Sequence, residues 1–100
     1  MILELVDIRI IPGKQNEFDA AILRGLEQVL AKSKGFHGYK VNKSLESPER
    51  YLLTVFWETL ENHTVDFRDS AAFLEWRSIV GPYFAAPPAV EHFTLLAKSK

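Results

Sequence analysis

The stretch Arg50-Tyr51-Leu52-Leu53-Thr54-Val55-Phe56-Trp57-Glu58 (RYLLTVFWE) decides the fold. It is dense in aromatic and β-branched residues and reads as a strand over 50–58. Side chains alternate between the two faces of a strand. Tyr51, Leu53, Val55 and Trp57 therefore share one face, and Leu52 and Phe56 lie on the other. A sheet covered on one side only would carry polar residues at the second set. Both faces of this strand are expected to be covered, at least in part.

Working outward, residues 36–45 (FHGYKVNKSL) read as the preceding strand. Glu46-Ser47-Pro48-Glu49 makes a hairpin connection, so the two strands are antiparallel neighbours. Residues 2–11 (ILELVDIRII) form the first strand, closed by Pro12-Gly13. Ile2, Glu4, Val6, Ile8 and Ile10 share one parity, and Leu3, Leu5, Asp7, Arg9 and Ile11 the other, so this strand too is apolar on both faces. From Lys14 to about Lys34 the period is helical, through Phe18, Ile22, Leu26, Val29 and Leu30, with Gly35 as a left-handed C-cap. After strand three, Thr59 can cap a short helix carrying Leu60, His63, Thr64 and Phe67. Ser70 can cap another with Phe73, Trp76, Arg77 and Val80 on one side, ended by Gly81-Pro82. Residues 89–97 (AVEHFTLLA) read as the last strand. The order β-α-β-β-α-β, with the second helix broken in two, predicts an α+β ferredoxin-like antiparallel sheet with helices on one face. A second copy packed on the other face is its simplest cover, which predicts a homodimer.

Composition sets the bounds. One hundred residues predict a single domain over 1–100. Twelve Lys+Arg against 13 Asp+Glu leave a charge of −1, so nothing drives the chain towards nucleic acid or an anionic membrane. The strand order is shared with RNA recognition motifs, but residues 50–58 lack the glycines of their base-stacking segment. The absence of cysteine excludes disulfides, thiolate metal sites and cysteine nucleophiles. No apolar run is long enough to span a bilayer, and the first residues lack a basic n-region, so a cytoplasmic protein is expected.

Val6–Phe18 (VDIRIIPGKQNEF), Gly35-Phe36-His37-Gly38, Glu46–Trp57 (ESPERYLLTVFW) and Trp57–Thr64 (WETLENHT) follow one another along the chain. Phe67-Arg68-Asp69-Ser70, Trp76-Arg77 and Pro88–Phe93 (PAVEHF) come after them. Together these segments resemble the antibiotic biosynthesis monooxygenase family, the dimeric α/β-barrel proteins. The resemblance implies paired ferredoxin-like subunits, each with a cavity between sheet and helices for a small apolar or aromatic molecule. It also implies a cofactor-independent oxidation of an electron-rich phenol or quinol by O2, although members include haem-degrading enzymes, isomerases and proteins with no assigned activity. The haem-degrading branch uses an Asn, a Trp and an iron-ligating His where this chain has Val6, Phe67 and Arg77, so haem degradation is not expected. The polyketide-oxygenase branch carries an amide, a Trp and an aromatic residue where this chain places His63, Phe67 and Phe73. A non-catalytic small-molecule-binding dimer of the same fold is the alternative.

Three groups are candidates for chemistry. His63, on the helical side of Leu60 and Thr64, titrates near neutrality and can take a phenolic proton; otherwise it is a half-buried histidine bonded to backbone. His92 is a second base or a ligand-orienting donor, or alternatively a dimer contact. Arg77, beside Phe73 and Val80, can stabilise a phenolate or carboxylate, or can form a surface ion pair. Glu4, Val6, Phe67, Phe73, Trp76 and Phe84 are expected to contact the ligand, with core or dimer packing as their alternative. For Glu4 the alternative is an exposed strand end. Arg68, next to Asp69 and Ser70, is expected to stabilise the helix break, and His37 is expected to be exposed and without a role. Three histidines without HxxxH or HxH spacing give no ground for a metal or a cofactor.

Overall fold

The computed structural model describes residues 1–100. The elements are β1 (Ile2–Arg9), α1 (Gln15–Gln28), β2 (Phe36–Lys43) and β3 (Arg50–Trp57). A π-helical turn (Asn62–Phe67), α2 (Ala71–Val80) and β4 (Ala89–Thr94) follow. The sheet order is β2-β3-β1-β4, with every pair antiparallel. This is the expected α+β ferredoxin-like arrangement.

Register places the site. In the β1–β3 ladder Glu4 pairs with Val55 and Val6 with Leu53; in the β1–β4 ladder Glu4 pairs with His92 and Val6 with Val90. Residues directly opposite on neighbouring strands put their side chains on one face about 5 Å apart. Glu4 and His92 thus lie side by side on the helix-covered face. The core lies on that face: Ile8, Tyr51, Leu53, Val55 and Trp57 pack under Phe18, Ile22 and Leu26 of α1 and Val80 of α2. Gly25 lets the two helices meet, because a Cβ there would stand 2.9 Å from Cε3 and Cζ3 of Trp76.

Element ends depart from the sequence reading for identifiable reasons. Residues 95–97 are not strand, because β4 runs out of partner where β1 begins, at the pair Ile2–Thr94. β1 stops at Arg9 because the chain then turns to hold the segment after α2: Ile11 N–H donates to Tyr83 O (2.9 Å) and Ala85 N–H to Arg9 O (2.8 Å). The first helix ends at Gln28 and tightens into a 3-10 turn over Leu30–Lys32, which buries both Val29 and Leu30. Gly35 adopts the left-handed conformation (φ +80°), but at the entry to β2 rather than at a helix end.

The second face of the sheet is uncovered. Leu3, Leu5, Leu52 and Phe56 are only half-buried there, and Phe93 is 43% exposed. The surface of 6463 Å² exceeds the roughly 5,800 Å² of a typical globular monomer of 11.4 kDa. The molecule is a slab of 35 × 35 × 20 Å, two layers thick with one apolar face of the sheet open. No helix is long and apolar enough to cross a membrane.

Candidate active site

A cavity of about 850 Å³ lies between the sheet, the π-helical turn, α2 and the segment Phe84–Pro88. Glu4, Val6, Ile8, Leu53 and Val90 form its floor. His63, Phe67, Arg68, Phe73, Trp76, Arg77 and Phe84 stand around it, and Pro87 and Pro88 close one side. The structure therefore brings Glu4, Val6, His63, Phe67, Phe73, Trp76, Arg77 and Phe84 together at one cavity, as the sequence suggests. His92 is not in the wall. It stands one step behind, bonded to His63.

Local geometry explains how His63 gets there. Thr59 caps the turn as expected: its Oγ1 accepts from Asn62 N–H (3.2 Å), while Asn62 Oδ1 accepts from Thr59 N–H (3.0 Å). The turn then widens, with Arg68 N–H donating to the carbonyl five residues back, at His63 (3.1 Å). Residues four apart stay on one side of this turn. The His63 and Phe67 rings stack with centroids 6.2 Å apart, and Trp57 of β3 stacks on His63 at 5.5 Å. An α-helical period would also bring Leu60 and Thr64 onto the sheet. Instead Leu60 is 40% exposed and Thr64 uses its hydroxyl on Leu60 O (3.2 Å).

The expected role of Arg68 is corrected. Ser70 closes the helix break unaided, its Oγ donating to Phe67 O (2.6 Å) and accepting from Phe73 N–H (3.4 Å) as the cap of α2. The guanidinium of Arg68 belongs instead to the cavity. His37 is exposed and pairs with Glu58 at the surface.

The floor of the cavity holds a linear array of titratable groups. Glu4 is 6% exposed; its Oε1 accepts from Trp57 Nε1–H (2.9 Å), and its Oε2 lies 3.3 Å from His63 Nε2. On the other side of the imidazole, His63 Nδ1 is 2.8 Å from His92 Nε2. Both nitrogens of His63 are thus engaged within the array. Burial pushes the Glu4 carboxyl above its ordinary range, against the opposing effects of the Trp57 hydrogen bond and the Arg68 charge. Burial, and then the positive charge of Arg68 and the neighbouring His92, push His63 down to about 4. His92 is lowered as well, by burial and by Arg68. Both shifts favour the uncharged imidazoles at neutral pH. No three carboxylate, imidazole or thiol groups converge as metal ligands.

The sequence profile of the antibiotic biosynthesis monooxygenase family matches residues 1–78. The chain belongs to this family. A solved protein from Bordetella bronchiseptica bearing the same family name is 42% identical, with a TM-score of 0.90 over 96% of this chain and 97% of that one. The uncharacterized protein YczJ of Bacillus subtilis (strain 168) is 36% identical over 93 residues, 93% of this chain and 97% of that protein. The ActVA-Orf6 monooxygenase of Streptomyces coelicolor, solved in complex with nanaomycin D, shares the fold. Its TM-score is 0.82 at 17% identity, over 99% of this chain and 90% of that one. Within this family frame the cavity and its buried array are the candidate active site.

Two of its parts escaped the sequence. Arg68 was hidden by its neighbours Asp69 and Ser70, which suggest a helix break that needs a cation. The Glu4–His92 pairing was available in principle from the register of β1 against β4.

Proposed function

We propose that this antibiotic biosynthesis monooxygenase-family protein oxidises an electron-rich phenol or quinol with O2, without an added cofactor. The observation that carries this reading is the buried Glu4–His63–His92 array on the floor of an aromatic-walled cavity. Because His63 is bonded on both sides, the group left to meet a substrate hydroxyl is Glu4, whose carboxylate oxygens keep spare lone pairs. The phenolic proton moves to Glu4, giving a neutral buried acid and a phenolate. Desolvation favours this exchange, and a carboxyl pushed upward is a better match to a phenol than an ordinary one. His63 acts as a positioning residue: in one tautomer its Nε2–H faces Glu4 while its Nδ1 accepts from His92. The phenolate gives one electron to O2, and the aryloxyl radical and superoxide combine at a ring carbon that bears a hydrogen, which is later lost in the water. The proton held by Glu4 returns to the peroxide, and loss of water leaves the quinone. The apolar walls keep bulk water from the anion.

Oxygen uptake across a panel of anthrones and naphthalenediols tests the reading. Wild-type protein is expected to consume O2 and to form no product anaerobically, and Glu4→Gln and His63→Gln are each expected to be slower by about 10²–10⁴-fold. Tight binding without uptake would identify the protein as a binder instead.

The same reading includes a homodimer with the two uncovered sheet faces packed together through Leu3, Leu5, Leu52, Phe56 and Phe93. The exposed apolar surface of the slab supports it.

A further inference from the structure

The charges of the cavity do not balance. Only three of its lining residues are ionisable at neutral pH as acids or strong bases: Glu4, Arg68 and Arg77. The carboxylates that touch a basic side chain do so in the pairs His37–Glu58, Lys43–Asp19, Arg50–Asp7 and His63–Glu4, so neither cavity arginine has a carboxylate partner. The protein as a whole carries −1, whereas the side chains lining the cavity sum to +1, or +2 once Glu4 has taken a proton, with both arginines reaching solvent. A phenolate formed at Glu4 answers one of them. Arg68 is placed for that, since its charge is felt at Glu4, His63 and His92 together. Arg77 is left over.

The setting of Arg77 suits a fixed anion. It stands four residues after Phe73 on α2, with its guanidinium carbon 5.9 Å from the centre of the Phe73 ring. A guanidinium held against an aromatic ring keeps its N–H edge free and pre-oriented, the geometry that grips a carboxylate with two parallel bonds. We infer that the substrate is a hydroxyaryl carboxylate, its hydroxyl towards Glu4 and its carboxylate held by Arg77. This deepens the oxygenase reading and rests on the same cavity being the substrate site.

The test uses binding apart from turnover. Three hydroxynaphthoates, 1-hydroxy-2-, 3-hydroxy-2- and 6-hydroxy-2-naphthoate, are titrated by fluorescence into the intact protein at pH 7.5, each beside its methyl ester. The expected result is that at least one acid binds about tenfold or more tightly than its ester, the scale of a charge-assisted contact in a partly enclosed site. That preference shrinks with added salt. Arg77→Gln is expected to bring the acid-to-ester ratio close to one, and Arg77→Lys to restore part of it. Arg77 is exposed and has no ion pair, so its loss leaves the core intact. Equal affinity of acid and ester in all three pairs overturns the inference, as does a preference that survives in Arg77→Gln. Uptake of O2 with neutral naphthalenediols alone would then leave the oxygenase reading standing. An acid preference lost in Arg77→Gln, with no O2 uptake from any compound, would support the anion site and sink the oxygenase.

Discussion

Acidification should weaken the fold through the buried array, and the size of the effect follows from its members. In the unfolded chain His63 gains a proton as pH falls through 6.5, while in the folded protein it resists until about 4. Between those values the unfolded state binds more protons, so stability falls with falling pH. Two and a half pH units at about 1.4 kcal/mol each set a ceiling of roughly 3.5 kcal/mol for this one group. His92, also lowered, contributes with the same sign. Glu4 opposes them: its raised carboxyl adds stability below its unfolded value of 4.5, and that contribution fades as pH rises through the folded value. Between pH 6.5 and 4.5 His63 alone accounts for a loss of about 2 kcal/mol, which His92 deepens and Glu4 offsets. Asp7 and Asp19, both lowered, act only below their unfolded value of 3.8, outside this window. Urea unfolding at pH 7.5, 6.5, 5.5 and 4.5 reads the loss as a fall in midpoint of about 1–2 M, with protein concentration held fixed because self-association would also move it. In His63→Gln that contribution is gone, and the profile should be shallower. A flat wild-type profile, or a His63→Gln profile of unchanged slope, would show that the array does not hold neutral imidazoles.

Three further outcomes follow from the packing. Trp57→Phe removes the one protein hydrogen bond to Glu4 Oε1 and should cost about 1–3 kcal/mol in urea unfolding, with the Glu4 carboxyl, followed by carbon-13 NMR, titrating higher still. Gly25→Ala forces a methyl group against the Trp76 ring and should destabilise by about 1–3 kcal/mol while weakening naphthol binding, since Trp76 also lines the cavity; thermal unfolding and titration read the two effects. Sedimentation at micromolar concentration should show a dimer, and Phe56→Glu a folded monomer; a stable wild-type monomer would leave the uncovered face unexplained.

The sheet was legible because its pattern is strong: Tyr51, Leu53, Val55 and Trp57 are all fully buried, and Leu52 and Phe56 sit on the uncovered face. The lining of the cavity was legible too, since aromatic residues at helical spacing after strand three have only the sheet to face. Less visible was anything that depends on non-local register. Nothing near Glu4 in the chain points to Trp57, His63 or His92, whose approach is set by three separate elements. The element ends were misread for a similar reason: residues 95–97 have the composition of a strand, but pairing needs a neighbour, and β1 has none left to offer. The widened turn carries no local signature at all, so a regular helix was the natural expectation for residues 60–67.

That turn is a place where the chain can change length cheaply. The bond from Arg68 N–H back to His63 O spans one residue more than an α-helical bond would. Removing a single residue between His63 and Phe67 would let the backbone close into ordinary α-helix. Four residues of α-helix turn through about 400°, close to what five residues of the wider turn cover, so the segments before and after it would keep nearly the same relative orientation. The sheet, α1 and α2 would stay in register, and Glu4, His63 and His92 would stay together. A length difference of one residue at this point is therefore compatible with the same cavity and the same array, whereas one inside β1 would turn side chains to the opposite face of the sheet.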